Sequence, residues 1–224
     1  PYFLLASSKE MAKNLLLYRY NQLPKAIENA AKLGFKNGAA LYPMVTFNGE
    51  ECHNEWAITF EEIHRNNIIV LALMNYVIMT GNTNFLAQYG LEIMIAISRF
   101  WSQRVSYSQQ KHKYVILGVT GPDEYENNVN NNWYTNYSCI QTLKATICQL
   151  EQIAHQFPDE YTNIRRKTNF QSAEIVHWQE IIDNMYLPEN KELGIIVQDD
   201  GYLDKELKTV DHIPAEERPV NQHW

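Results

Sequence analysis

The chain has little of what would replace or relocate a hydrophobic core. Its 224 residues include three cysteines, Cys52, Cys139 and Cys148, too few and too scattered for a disulfide framework. Neither a CxxC nor an HExxH spacing occurs, so no metal site is expected. No apolar run reaches the roughly 18 to 20 residues of a membrane span. The runs at 68–73 and 93–97 are interrupted by Asn75, Arg99 and their neighbours. The apolar opening, residues 1–6, is short and has no basic flank, so it does not read as a signal peptide. Positive charge is scarce too: 19 Lys and Arg stand against 26 Asp and Glu, a net charge of −7. That balance argues against nucleic acid or an anionic membrane as partner. These absences lead us to expect a soluble, cytoplasmic protein with reduced thiols.

What is present is ordinary globular composition, 45% hydrophobic and 20% charged, enough for one large domain or two small ones. The chain lacks an initiator Met and halts at Pro219-Val220-Asn221-Gln222-His223-Trp224. Both ends therefore read as cuts, and residues 1–224 as part of one domain truncated at each end.

Periodicity predicts helices joined by alternately short and long loops. One covers 9–20, with Met11, Leu15, Leu16 and Tyr18 as apolar positions and Ser7 or Ser8 as cap. Another covers 25–33, after Leu23-Pro24 and before Gly34. Thr59 opens a third that runs to about Thr80, with Glu61 and Glu62 in its first turn and Gly81 as its stop. Ile68, Ile69, Val70, Leu71, Leu73, Tyr76, Val77 and Met79 leave it little polar face, so it is expected to be buried all round. Thr83 opens a fourth, to about Gln103, and two more are predicted over 133–154 and 172–186. Cys139 and Cys148 would be buried on the first of these two. Residues 194–198, and more weakly 202–203, read as short strands. The pattern suggests antiparallel helical pairs, an all-α array or toroid, with long loops at 35–58 and 104–132 gathered on one face.

One loop is dense in chemistry: Gly118-Val119-Thr120-Gly121-Pro122-Asp123-Glu124-Tyr125-Glu126-Asn127-Asn128-Val129-Asn130-Asn131-Asn132-Trp133-Tyr134-Thr135-Asn136. Glycine and proline shape its backbone. Asp123, Glu124 and Glu126 sit among amides and aromatics, the residue types that bind sugar hydroxyls and stack on sugar rings. A carboxyl among aromatics and other acids can be raised into the range of a neutral-pH general acid. The same pattern also fits a solvated, Asn-rich turn capping the helix at Trp133. Elsewhere Glu61, Glu62, His64 and Arg65 read as a solvated or structural first turn with intrahelical pairs. His155 and His177 read as structural, and Arg165-Arg166-Lys167 as an exposed linker. Asp199-Asp200-Gly201 reads as a turn, because a calcium loop's ligand spacing is absent.

The acid loop resembles the catalytic loop of the glycoside hydrolase family 65 disaccharide phosphorylases, with its G-P-D-E-Y, V-N/D-N-N and Y-T-N pattern. The resemblance covers essentially the whole chain. It includes Tyr18-Arg19-Tyr20-Asn21-Gln22-Leu23-Pro24-Lys25-Ala26, Gly38-Ala39-Ala40-Leu41-Tyr42-Pro43-Met44 and Gly49-Glu50-Glu51-Cys52-His53-Asn54-Glu55-Trp56. It implies about half of an (α/α)6 barrel and makes Glu124 the general acid. His53, Asn54, Glu55, Trp56, Asp123 and Tyr125 become the sugar-contacting candidates, with Trp56 equally open to a packing role. Pro43-Met44-Val45-Thr46 stands where the kojibiose branch carries Pro-Trp-Glu-Ser, which with His53-Asn54-Glu55 favours maltose as the sugar. Ala57 departs from the maltose branch, where Glu is expected.

The implied reaction is inverting phosphorolysis of an α-linked glucose disaccharide, with phosphate as co-substrate and no cofactor or metal. The resemblance also implies a homodimer for the full-length protein. The family's non-reducing-sugar pair lies upstream of Pro1, and its Lys-Gln pair and phosphate ligands downstream of Trp224. The isolated chain is therefore expected to be inactive. Two other classes compete with this reading. An inverting glycoside hydrolase of similar barrel needs a second carboxylate for water. A non-catalytic carbohydrate-binding helical module would not depend on Glu124.

Overall fold

The computed structural model describes residues 6–52, 58–206 and 208–218. Helix α1 (Lys9–Asn21) begins at Ser8, whose hydroxyl accepts from the Met11 amide at 3.2 Å. Helix α2 (Leu23–Lys32) carries Pro24 in its first turn, where a missing N–H costs nothing, and ends ahead of Gly34 at φ +92°.

The helix expected from Thr59 to Thr80 is two helices, α3 (Ile58–Glu61) and α4 (Arg65–Thr80), the latter closed by left-handed Gly81. Arg65 explains how the break is tolerated. Its guanidinium donates to the carbonyls of Thr59 (2.6 Å) and Glu62 (2.9 Å), groups a continuous helix would have paired along its own axis, and also to that of Tyr42 (2.7 Å) in the preceding loop. Helix α4 is also not enclosed. It buries Ile69, Val70, Leu73, Tyr76 and Val77 and leaves Ile68, Leu71, Ile78 and Met79 exposed.

The enclosed element is the next one. Helix α5 (Thr83–Phe85), capped by Asn82, passes through a π-helical turn (Leu86–Gly90) into α6 (Leu91–Arg104) without leaving helical dihedrals. Every residue from Ile93 to Trp101 on α6 is buried. Helix α7 (Trp133–Gln156) packs on α6, on α4 and on two further helices, α8 (Pro158–Thr168) and α9 (Ser172–Asn184).

Helix α8 was not legible as a helix. Pro158 opens it, Asp159 and Glu160 sit in its first turn, and Arg165, Arg166 and Lys167 fill its last, ahead of left-handed Asn169. The supposed basic linker is thus a helix C-terminus whose dipole favours cations, with Lys167 paired to Glu92 at 2.7 Å. Two small hairpins complete the described chain, β1 (Ser106–Ser108) with β2 (Lys113–Val115), and β3 (Glu189–Asn190) with β4 (Ile195–Ile196). Residues 202–203 lie in a 3-10 turn (Tyr202–Asp204), not a strand. Cys139 is buried but Cys148 is exposed, and all three thiols are free. No described helix is long and apolar enough to cross a membrane.

Polar side chains lock these helices in register. Asn66 Oδ1 accepts from the Tyr42 amide at 3.0 Å and its Nδ2 donates to the Ala40 carbonyl at 2.9 Å, fastening residues 40–42 to α4. Between α6 and α7, the Ser98 hydroxyl donates to Thr146 Oγ1 at 2.8 Å. Arg99 on α6 holds Glu174 on α9 through Nε at 2.7 Å and Nη2 at 2.8 Å, and donates from Nη1 to the Thr168 carbonyl at 3.0 Å. Glu174 also accepts from the Gln171 amide, so one carboxylate caps α9 and pins it to α6. Replacing one member of a buried pair strands the other's charge. Arg99→Met is therefore expected to cost about 3 kcal/mol in denaturant unfolding. A loss below about 1 kcal/mol would show the pair to be peripheral.

Candidate active site

The acid loop is closed at its neck by backbone pairing. Val119 N donates to Val129 O at 2.9 Å and Val129 N to Val119 O at 2.8 Å. The neck is tied to the break between α3 and α4 by Glu61. Its Oε2 accepts from Thr120 Oγ1 at 2.7 Å and from the Asn128 amide at 2.9 Å, and its backbone carbonyl accepts from the Thr120 amide at 3.3 Å.

Most of the loop's amides do backbone work. Asn128 and Asn131 adopt left-handed dihedrals, φ +51° and +55°, which Asn tolerates better than most residues. Asn130 Oδ1 accepts from the Gly118 amide at 3.0 Å. Asn131 Oδ1 accepts from the Ile116 amide and its Nδ2 donates to Asp200 at 2.7 Å. Asn132 caps α7 by accepting from the Thr135 amide at 3.0 Å. Gly121 is required beside it, because a Cβ there would lie 2.3 Å from Asn132 Nδ2. The asparagines that suggested sugar binding thus largely build the loop and its junction with α7.

The acids divide by task. Asp123 Oδ1 accepts from the Tyr125 amide at 3.2 Å and its Oδ2 from Gln198 Nε2 at 3.1 Å, so it braces the loop. Glu126 pairs with Lys205. Tyr125 is 64% exposed, outside the cavity beside the loop. Glu124 is exposed at the loop tip, and its carboxyl is in hydrogen-bond contact with that of Glu62. His53, Asn54, Glu55 and Trp56 lie outside the described residues.

Glu62, only 7% exposed, is the acid that sequence reasoning left in a solvated or structural first turn and did not count among the site residues. The break before α4 turns it inward, towards the loop. Burial, with the Glu124 carboxyl against it, raises its pKa to about 7, and the nearby Arg65 opposes this only weakly. Burial pulls Arg65 itself down to about 10, still charged at neutral pH. Its nearest carboxylate among the described residues is Glu51, at 3.7 Å. His64 was also read as part of that turn. It is half-buried, packs edge-on against Tyr134 at 5.5 Å between ring centres, and contacts the Thr120 carbonyl. Burial holds its imidazole below the usual range and hence neutral at pH 7. The available signal was a dense polar run, Glu61-Glu62-Ile63-His64-Arg65-Asn66-Asn67, where an apolar helix was expected to begin.

Beside the loop lies an open cavity of about 460 Å³, lined by Asp123, Trp133, Tyr134, Gln198 and Tyr202, among others. Its size suits a small ligand. Trp133 supplies a ring face stacked on Tyr137 and an indole N–H with no acceptor among the described residues. Asp199, buried beneath, is pushed upward in pKa by burial and by Asp200 and Asp123. Aromatic faces, an amide and an acid lining a cavity next to the loop that carries the exposed Glu124 suit acid-assisted cleavage of a bond to oxygen. No group of three His, Cys, Asp or Glu among the described residues could hold a metal.

The family description "Glycosyl hydrolase family 65 central catalytic domain" matches residues 1–224. The chain is 53% identical over 224 residues to maltose phosphorylase of Bacillus subtilis (strain 168), covering 100% of this chain and 28% of that protein. It is 42% identical to α,α-trehalose phosphorylase of Thermoanaerobacter brockii, covering 99% and 29%. Among solved structures, "Putative kojibiose phosphorylase from human microbiome" superposes with a TM-score of 0.86 at 29% identity, covering 99% of this chain and 29% of that one. The chain thus spans under a third of the length of these relatives. Its helical pairs are part of an (α/α)6 barrel, and the chain belongs to glycoside hydrolase family 65.

Proposed function

We propose that the full-length protein is an inverting disaccharide phosphorylase acting on maltose and phosphate, with Glu124 as its general acid. The observation that carries this is the exposed Glu124 carboxyl at the tip of a braced loop, sharing a hydrogen bond with buried Glu62 beside an aromatic-lined cavity. The choice of maltose leans on the higher identity to a maltose phosphorylase, 53%, than to a trehalose phosphorylase, 42%, or a kojibiose phosphorylase, 31%.

In this reading a phosphate oxygen attacks the anomeric carbon as the glycosidic C–O bond breaks on the opposite face. Glu124 gives its proton to the leaving oxygen. Phosphate is already an anion, so no base is needed to activate it, unlike the water of an inverting hydrolase. Positioning and proton delivery are the protein's part. Asp123 would meet sugar hydroxyls through lone pairs not used by Tyr125 and Gln198. Tyr125, His53, Asn54, Glu55 and Trp56 complete the proposed sugar-contacting set. The reading needs no metal or organic cofactor. A cytoplasmic homodimer accompanies it on the family resemblance alone, and sedimentation of the full-length protein tests the dimer.

Three outcomes follow for the full-length protein. Incubated with maltose, it should release β-glucose 1-phosphate only when phosphate is present, as read by proton and phosphorus NMR. Phosphate-independent glucose would make it a hydrolase instead. Glu124→Gln should lower kcat about a hundredfold or more, and near-normal turnover would remove the assignment. Glu61→Ala, which frees the loop neck from α3, should lower kcat by roughly 10- to 100-fold by misplacing the acid. An unchanged kcat would show that the neck holds without it.

A further inference from the structure

A general acid must still hold its proton at neutral pH, and an isolated solvent-facing carboxyl does not. Glu124 is exposed but not isolated. Glu62 reaches its carboxyl from below, out of the turn between α3 and α4. Two carboxyl groups in hydrogen-bond contact require a proton between them, since both ionised would repel at that distance. Glu62 is otherwise a poor place for a charge. It is 7% exposed, and among the described residues no cation forms an ion pair with it. The nearby Arg65 directs its donors to the carbonyls of Tyr42, Thr59 and Glu62, and its closest carboxylate among the described residues is Glu51. Among the described residues, the other titratable groups facing the pair are His64, which is neutral at pH 7, and Glu61, whose carboxylate is engaged by Thr120 and Asn128.

We propose that Glu62 is a positioning residue for Glu124: its buried carboxyl shares one proton with Glu124 and keeps that proton at hand for the leaving oxygen at neutral pH. The inference rests on the reading of Glu124 as general acid. The proton passes from the pair to the glycosidic oxygen as the bond from the anomeric carbon to that oxygen breaks and the bond to phosphate oxygen forms. The pair is left without its proton, and the one carried by hydrogen phosphate replaces it, so protons balance over a turnover. Burial of Glu62, with no ion-pair partner for it among the described residues, makes the doubly ionised state costly, and the nearby Arg65 charge opposes this only in part.

The test is the pH profile of kcat/KM for the full-length enzyme, with maltose and phosphate. Activity requiring the shared proton falls as pH rises through the pair's upper ionisation. Glu62→Gln removes the like charge and offers Glu124 a neutral donor, which stabilises its carboxylate. The alkaline limb should move to lower pH by about one unit or more. Glu62→Asp, which keeps an acid one methylene shorter, should place the limb between the two. A Glu62→Gln enzyme with lower kcat but an unmoved limb would make Glu62 structural and overturn the inference. Full activity in Glu124→Gln would instead overturn the underlying assignment, so the two failures are distinguishable. If Glu62→Gln does not fold, pH-difference infrared spectroscopy of the wild type decides. A protonated-carboxyl band that titrates near neutrality and is lost in Glu124→Gln is expected, and its absence overturns the proposal.

Discussion

The acid loop has no regular structure of its own to fix its shape, so what holds its neck decides where Glu124 sits. One carboxylate, Glu61, receives the Thr120 hydroxyl and the Asn128 amide from the two sides of that neck. Glu61 ends α3, and the next residue is Glu62. A single turn of chain therefore clamps the loop and presents a second carboxyl to its tip. The clamp is possible only because the helix breaks there, and the break persists because Arg65 takes up the backbone carbonyls it releases. Had residues 59–80 formed one continuous helix, neither acid would have this relation to the loop.

That geometry is transmitted from the core. Helix α6 is enclosed, and its neighbours are fixed in register by buried hydrogen bonds as well as by apolar contact, which is non-directional. Asn67 Nδ2 donates to Ser138 Oγ at 3.3 Å and its Oδ1 accepts from Thr142 at 3.0 Å, tying the start of α4 to the first half of α7. Those two helix starts carry the two sides of the site: Glu62, His64 and Arg65 ahead of α4, and Asn132, Trp133 and Tyr134 at the head of α7. A slip of one helix along the other would leave such amides and hydroxyls unpaired in the core, so the register resists it.

Much of this was legible in the sequence where local chemistry decides. Ser8, Pro24, Gly34 and Gly81 stand at the helix ends they foretold, because caps and left-handed stops depend on nearby backbone. The acid loop was legible from its density of unusual residues. The break at 62–64 was not, since Ile63 keeps a helical rhythm and the cause, Arg65 reaching back to Tyr42 and Thr59, is tertiary. Helix α8 was hidden because its solvent-facing sequence buries Ile164 alone, leaving no apolar stripe to read. The asparagines misled in the opposite direction. An amide that closes a left-handed turn and an amide that holds a sugar are the same residue type, and only their partners separate the two.

Two of the molecule's acids, Glu174 and Glu62, show how differently a fold can treat a carboxyl. Glu174 meets a fork-shaped guanidinium and the Gln171 amide, an arrangement that satisfies its oxygens and fixes α9. Glu62 is more deeply buried and meets another acid, while its nearest cation is turned toward backbone. For stability alone the second arrangement is a poor one, since an apolar side chain would fit the site without desolvating a carboxyl. Its place beside the loop tip makes sense as chemistry under the proposed role of Glu124: ionisation of Glu62 is held back by burial next to the acid that would protonate the leaving oxygen. Local destabilisation of this kind concentrates at functional sites and is offset by the well-paired core around it. Here that offset is visible in the clamp at Glu61 and in the hydrogen-bonded helix seams beneath it.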